Sequence, residues 1–113
     1  MATHFQPDEV LENIEQDREL LGEMVEIFLQ TLPEQLSQLR AACQDTALDR
    51  VAGAAHSLKG SLLTLSASQG SELAARLEQA GRARDAAVVA AILPELESEL
   101  EALCQELRSF SLS

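Results

Sequence analysis

Apolar residues recur every three or four positions along nearly the whole chain, and no segment shows the strict alternation that is typical of a strand. This spacing predicts a short helix over residues 7–16 and four longer amphipathic helices over residues 17–43, 45–65, 68–80 and 85–109. Because the connections are short, neighbouring helices should be antiparallel. The pattern therefore predicts an all-α fold, an up-and-down four-helix bundle with a short additional N-terminal helix, in a single domain over residues 1–113.

Four residues mark the expected boundaries and irregularities of these helices. Asp17 is a favoured N-cap residue for the second helix, and Gly81 is expected to end the fourth. Pro33 and Pro94 lie inside the second and last helices, where the apolar pattern continues in register. We therefore expect each proline to bend its helix rather than to end it.

The composition excludes several classes of function. The 113-residue chain carries 19 acidic and 8 basic residues, for a net charge of −11. This excess of negative charge argues against binding to nucleic acid or to an anionic membrane surface, since both depend on Lys and Arg. No apolar run approaches the roughly 20 residues that a membrane span needs. Cys43 and Cys104 form no metal-binding spacing, and as reduced thiols they favour a cytoplasmic domain, which we expect to be monomeric.

The charge is distributed unevenly along the chain. Residues 1–39 sum to −8 and residues 85–113 to −5, whereas residues 40–84 sum to +2. The central segment also contains the only lysine, Lys59. The central segment therefore does not share the acidity of its flanks.

His56 lies in this central segment, on the predicted third helix. At about 100° per residue, it lies about 120° from the centre of the apolar stripe and should face outward. Gly53 and Gly60 fall one turn before and one turn after it on the same face, and each costs about 1 kcal/mol relative to alanine inside a helix. Two readings account for them: clearance for a bulky partner above His56, or close packing of another helix.

Two further polar side chains accompany His56. A histidine that accepts a phosphoryl group needs a nearby cation for the added charge and a hydroxyl or amide donor for the oxygens. Lys59 and Ser61 are of the right types, three and five residues beyond the histidine. A solvated surface charge is the alternative interpretation of Lys59.

The segment Ala55–Ser61, with the sequence AHSLKGS, resembles the signature A-H-x-L-K-G-S/A of histidine-containing phosphotransfer (HPt) domains of two-component phosphorelays. The segment 73–78, LAARLE, resembles the L-x-x-x-L-E that follows in this family on the next helix. The resemblance extends over the whole chain, because it implies a small four-helix bundle with the histidine on its second long helix. It implies a function as a phosphoryl carrier between receiver-domain aspartates.

The resemblance also implies a role for each matching residue. His56 corresponds to the phosphorylated histidine, Lys59 to the lysine that neutralises the phosphate, and Gly60 to the residue kept small for close approach. The role of Ser61 as a donor beside the phosphoryl group depends on its residue type and spacing alone. Glu78 falls where the family places Gln or Glu to bond the other ring nitrogen, which fixes the tautomer; an ordinary exposed glutamate is the alternative.

The resemblance further implies what the chain does not do by itself. The expected partners are receiver domains of response regulators, a hybrid sensor histidine kinase, or both. The sequence contains no Gly-rich phosphate loop and no cluster of acids around the histidine. We therefore expect no cofactor and no metal site in this chain, with Mg²⁺ on the partner receiver, and no enzyme activity without a partner.

The sequence departs from the family pattern just beyond the signature. The family usually has small residues there and a glycine ten positions after the histidine, where this chain has Leu62, Leu63 and Ser66. Leu63 lies two turns beyond His56 on nearly the same face, so it should be partly exposed and contact a partner together with Gly53.

The first helix is expected to contribute to the same docking surface. It offers three apolar residues, Val10, Leu11 and Ile14. A two-turn helix persists only by packing, so we expect it to cap the bundle beside His56 and to leave an apolar patch around the histidine.

Two features are expected to carry no site, and one alternative function remains. His4 should be a solvated terminal residue, and the run of glutamates at positions 95, 97, 99 and 101 a solvated helix face. The alternative to a phosphoryl carrier is a four-helix adaptor that binds a partner without phosphorylation. Such an adaptor would not depend on His56.

Overall fold

The computed structural model describes residues 4–112, with side chains to residue 110, and over this range it contains helices and no strand. The helices are α1 (Pro7–Asn13), α2 (Arg18–Gln44), α3 (Leu48–Thr64), α4 (Ser68–Arg82) and α5 (Ala86–Leu112). Each long helix packs on its neighbours in sequence, α2 closes the ring against α5, and α1 packs on α2. The all-α up-and-down bundle predicted from the periodicity is confirmed, with α3 and α5 on opposite sides.

Aliphatic side chains fill the bundle. Eleven leucines have at most 2% of their surface exposed: Leu11, Leu21, Leu39, Leu58, Leu62, Leu65, Leu77, Leu96, Leu100, Leu103 and Leu107. Burial of a leucine contributes about 1.5 to 3 kcal/mol, so this shared core holds the four long helices together. None of the described helices is long and apolar enough to cross a membrane.

The helix boundaries agree with the predicted ones to within about three residues, and Asp17 caps α2 by accepting a hydrogen bond from the backbone N–H of Leu20 at 3.0 Å. Both α2 and α5 continue through their prolines. The prediction that Gly81 ends α4 is wrong, because α4 continues to Arg82. A Cβ atom at Gly81 would lie 3.0 Å from backbone atoms of α3, so this glycine permits the close approach of α3 and α4.

Each of the three connections between long helices uses a left-handed residue that is not glycine. Thr46, Ser66 and Arg84 have φ values of 53°, 52° and 58°. After α3, the N–H of Ser66 donates to the carbonyl of Leu63 and the N–H of Ala67 to that of Leu62, both at 3.0 Å, which is the Schellman pattern. The position where the HPt family usually has glycine is therefore a left-handed helix end, and here a serine occupies it.

Ser66→Gly is expected to raise the free energy of unfolding by about 0.5 to 1 kcal/mol. A left-handed conformation costs a residue with a Cβ atom about 1 to 2 kcal/mol, and the greater freedom of glycine in the unfolded chain offsets part of the gain. Urea unfolding measures the difference, with Ser66→Ala as the control that retains the Cβ atom. Equal stability of the Gly and Ala variants would contradict the account.

The N-terminal segment packs against α5. Nδ1 of His4 lies 2.6 Å from Oε2 of Glu99, and Phe5 packs edge-on against Phe110 with ring centroids 5.3 Å apart. Glu97 forms an ion pair with Arg40 of α2. The predictions of a solvated His4 and of a wholly solvated glutamate face are therefore wrong, since α5 uses these glutamates to bind other elements.

Candidate functional site

Helix α3 places His56 on the surface of the bundle. The buried face of α3 is formed by Val51, Ala52, Ala55, Leu58 and Leu62. This face fixes the rotation of the helix, and the His56 side chain is consequently 62% exposed. The ring is therefore accessible to a protein partner at a defined position.

A buried carboxylate from the neighbouring helix contacts the ring. Oε2 of Glu78 lies 3.1 Å from Nδ1 of His56, and the Glu78 side chain is only 7% exposed. Nζ of Lys59 lies 3.0 Å from Oε1, and the guanidinium of Arg82 forms an ion pair with Oε2. One carboxylate on α4 thus binds three side chains, two of them from α3.

These contacts keep the carboxylate ionised. The pKa of the Glu78 carboxyl is lowered, and the largest cause is the hydrogen bond from Lys59. Burial raises this pKa, but the hydrogen bond together with the charges of Arg82, Lys59 and His56 outweighs the effect of burial. An ionised carboxylate can only accept hydrogen bonds. Nδ1 of His56 is therefore the protonated nitrogen, and Nε2 bears the lone pair in the neutral ring.

Glu78→Gln is expected to lower the free energy of unfolding by about 1 to 2 kcal/mol at pH 7, since the variant loses the charge that compensates Lys59 and Arg82. Because the folded protein lowers the pKa of Glu78, this stabilisation is present above the ordinary glutamate value of about 4.3 and is lost as the pH falls through the lower folded value. Urea unfolding at pH 7, 5, 4 and 3 should show a constant gap in stability between wild type and variant at pH 7 and 5, and a gap that narrows at pH 4 and 3. A gap that stays constant down to pH 3 would contradict the assignment.

The two glycines beside His56 face open space. A Cβ atom at Gly53 or at Gly60 would meet no other atom within 4 Å. Close helix packing, the alternative interpretation of these glycines, therefore does not apply. At Gly81 and Gly70, by contrast, a Cβ atom would lie 3.0 Å and 3.1 Å from its nearest neighbour. Because Gly53 and Gly60 have no side chains, the surface around His56 is free of protruding groups that would block a partner.

Exposed apolar side chains lie on α2 and on α3. Leu63 is 58% exposed, in agreement with its place off the buried stripe, and Ile27 of α2 is 59% exposed. A groove of about 420 Å³ runs between α2 and α3, lined by Met24, Ile27, Phe28, Thr31, Ser57, Gly60, Ser61 and Thr64. The sequence analysis missed Ile27; the available signal was a large apolar residue outside the buried stripe of α2.

Several predicted site residues lie elsewhere. Ser61 faces α2, where its Oγ accepts a hydrogen bond from Nε2 of Gln35 at 3.3 Å, so it does not accompany the histidine. At about 100° per residue it lies about 140° around α3 from His56. Val10 and Leu11 are 1% and 2% exposed, and Ile14 is half-buried against the core. The docking surface predicted for these three is wrong, because α1 uses them to close the bundle.

Arg82 is a member of the site that the sequence analysis did not identify. It lies four residues after Glu78 on α4, a spacing at which oppositely charged side chains are neighbours on a helix. That spacing was the available signal. Among the residues that the structure describes, no group of three or more His, Cys, Asp or Glu side chains could hold a metal ion.

The comparisons with known proteins agree with this geometry. The family model described as Hpt domain matches residues 23–108. The fold matches the crystal structure of histidine-containing phosphotransfer protein B (HptB) from Pseudomonas aeruginosa PAO1 with a TM-score of 0.89 and 22% identity, over 99% of this chain and 97% of that chain. Among curated proteins, none matches this sequence. The chain belongs to the Hpt domain family and is a histidine phosphotransfer protein of a two-component phosphorelay.

Proposed function

We propose that His56 carries the phosphoryl group between receiver-domain aspartates, and that Nε2 is the atom that accepts it. The observation that carries the proposal is the hydrogen bond from Nδ1 to the buried, ionised Glu78 on a ring that is 62% exposed. This bond orients the ring and leaves Nε2 as the nucleophile.

The transfer balances without any further reactant. The Nε2 lone pair attacks phosphorus, the phosphorus–oxygen bond to the donor aspartate breaks, and the aspartate leaves as a carboxylate. Nδ1 keeps its proton, so the ring becomes positively charged and Glu78 stabilises that charge. In the next step an acceptor aspartate attacks phosphorus, the phosphorus–nitrogen bond breaks, and the neutral ring returns.

The partner completes the chemistry. Phosphoryl transfer needs cations for the charge on the transferring oxygens, and beside His56 this chain offers Lys59. The proposed arrangement therefore places Mg²⁺ on the receiver domain. In this proposal the chain acts as a monomeric cytoplasmic carrier, without enzyme activity of its own, for receiver domains of response regulators, a hybrid histidine kinase, or both.

Leu63→Asp is expected to weaken binding of a cognate receiver domain by more than about 1 kcal/mol, because it puts a charge into the apolar contact next to the histidine. The side chain is 58% exposed, so the fold should be unaffected. Isothermal titration calorimetry measures the affinity. Val88→Asp is the matched control, since Val88 is also an exposed apolar residue but lies on α5. Equal affinities of the two variants would place the docking surface elsewhere.

Labelling with a phosphorylated receiver tests the proposed function. The full chain is incubated with a receiver domain carrying labelled phosphate on its aspartate, and the product is treated with acid and with base before peptide mapping. A label on the peptide containing His56 that is lost in acid and stable in base supports the proposal. A label that survives acid contradicts it, and binding without any label indicates an adaptor.

A further inference from the structure

Arg82 reaches the buried carboxylate from the surface. Its side chain is 66% exposed, and its guanidinium forms an ion pair with Oε2 of Glu78, the oxygen that also contacts Nδ1 of His56. Lys59 contacts the other oxygen, Oε1, at 3.0 Å. In the unphosphorylated protein, Glu78 therefore has two cationic partners, one on each oxygen.

Phosphorylation of His56 would place a second anion within reach of Lys59. A phosphoryl group carries close to two negative charges at neutral pH, and the lysine ammonium is a mobile point charge on a flexible stem. Lys59 lies one turn beyond His56 on α3, with its side chain 28% exposed. When Lys59 turns to the phosphoryl group, Glu78 loses its partner on Oε1.

The loss matters because Glu78 is almost fully buried. Its side chain is 7% exposed, and removing one partner of a buried charged group is strongly destabilising. Among the described residues, the charged or titratable groups in contact with Glu78 are His56 and Lys59 from α3 and Arg82 from α4; α5, which also packs on α4, contributes no ion pair to it. After Lys59 turns away, Glu78 keeps two cationic neighbours, the phosphorylated His56 ring and the guanidinium of Arg82.

We propose that Arg82 is a positioning residue that retains the Glu78 carboxylate beside Nδ1 of His56 when Lys59 turns from Glu78 to the phosphoryl group. The inference rests on the proposed phosphorylation of His56. Arg82 then contributes more free energy to the phosphorylated state, where it replaces Lys59, than to the unphosphorylated state, where both cations are present. A contact that differs between two states shifts the equilibrium between them, so Arg82 favours the phosphorylated carrier.

The equilibrium constant for phosphoryl transfer between a receiver domain and the full chain tests this inference. Arg82→Ala is expected to lower the fraction of phosphorylated chain, with the equilibrium constant reduced about fivefold, the effect of losing one partly exposed ion pair. Arg82→Lys should have an equilibrium constant close to that of the wild type, because it keeps the positive charge. Arg76→Ala is the matched control, because Arg76 is exposed on the same helix and its loss changes the net charge equally. Circular dichroism verifies that each variant is folded.

A second background separates action through Glu78 from direct contact. In Glu78→Gln the amide oxygen still accepts from Nδ1 but has no charge to retain, so Arg82→Ala should no longer change the equilibrium constant. An equal reduction in this background would show that Arg82 acts on the phosphoryl group or the receiver, and would overturn the inference. Equal equilibrium constants for Arg82→Ala and Arg76→Ala would also overturn the inference. Absence of label on the wild-type chain would instead refute the proposed function itself.

Discussion

His56→Gln is expected to abolish labelling of the chain by a phosphorylated receiver domain. Glutamine has no ring nitrogen with a free lone pair, so no phosphorus–nitrogen bond can form. The His56 side chain is 62% exposed and belongs to no core contact, while Lys59 and Arg82 continue to compensate Glu78. The melting temperature should therefore remain close to that of the wild type, and the loss should be one of chemistry rather than of folding.

His4→Gln provides the control for this prediction. His4 is the other histidine of the chain, and its Nδ1 contacts Glu99 on α5, the helix diagonal to α3. This variant should take up label to the wild-type level. Residual label on His56→Gln, or loss of label on His4→Gln, would assign the phosphoryl group to a different residue.

Gly60→Leu is expected to slow transfer from a receiver by about 100-fold, because a side chain one turn from His56 holds the donor aspartate away from Nε2, and a displacement of about 1 Å is sufficient for a loss of this size. The fold should tolerate the change, since a Cβ atom at Gly60 meets nothing within 4 Å. Leucine also favours the helix more than glycine does, so the melting temperature should stay constant or rise.

Single-turnover kinetics with a phosphorylated receiver, paired with thermal unfolding, measure the two effects of Gly60→Leu separately. Ala91→Leu is the control, since it adds a leucine to an exposed position of α5 on the opposite side of the bundle. It should leave the transfer rate unchanged. If Gly60→Leu instead destabilises the domain and its rate follows its stability, Gly60 has a packing role.

The sequence by itself determined the helices and the surface position of His56. Both depend on local periodicity: apolar residues at helical spacing define the buried stripe, and a histidine about 120° from its centre must face outward. The helix ends were less accurate, because Thr46, Ser66 and Arg84 adopt the left-handed conformation without being glycine. Gly81 was misassigned for a related reason, since a glycine that ends a helix and one that admits a neighbouring helix look alike in sequence.

The tertiary structure decided which side chains meet. Glu78 lies 22 residues from His56, and only the close packing of α3 against α4 brings its carboxylate to Nδ1 and to Lys59. The contact of Ser61 with Gln35 of α2, rather than with the histidine, likewise depends on where the neighbouring helix lies. Helical periodicity specifies the face of a residue but not which helix covers that face. Distances across helices are set by the packing of the whole core. The family resemblance implied the contact between Glu78 and His56, whereas the ion pairs of Glu78 with Lys59 and Arg82 became visible only in the folded chain.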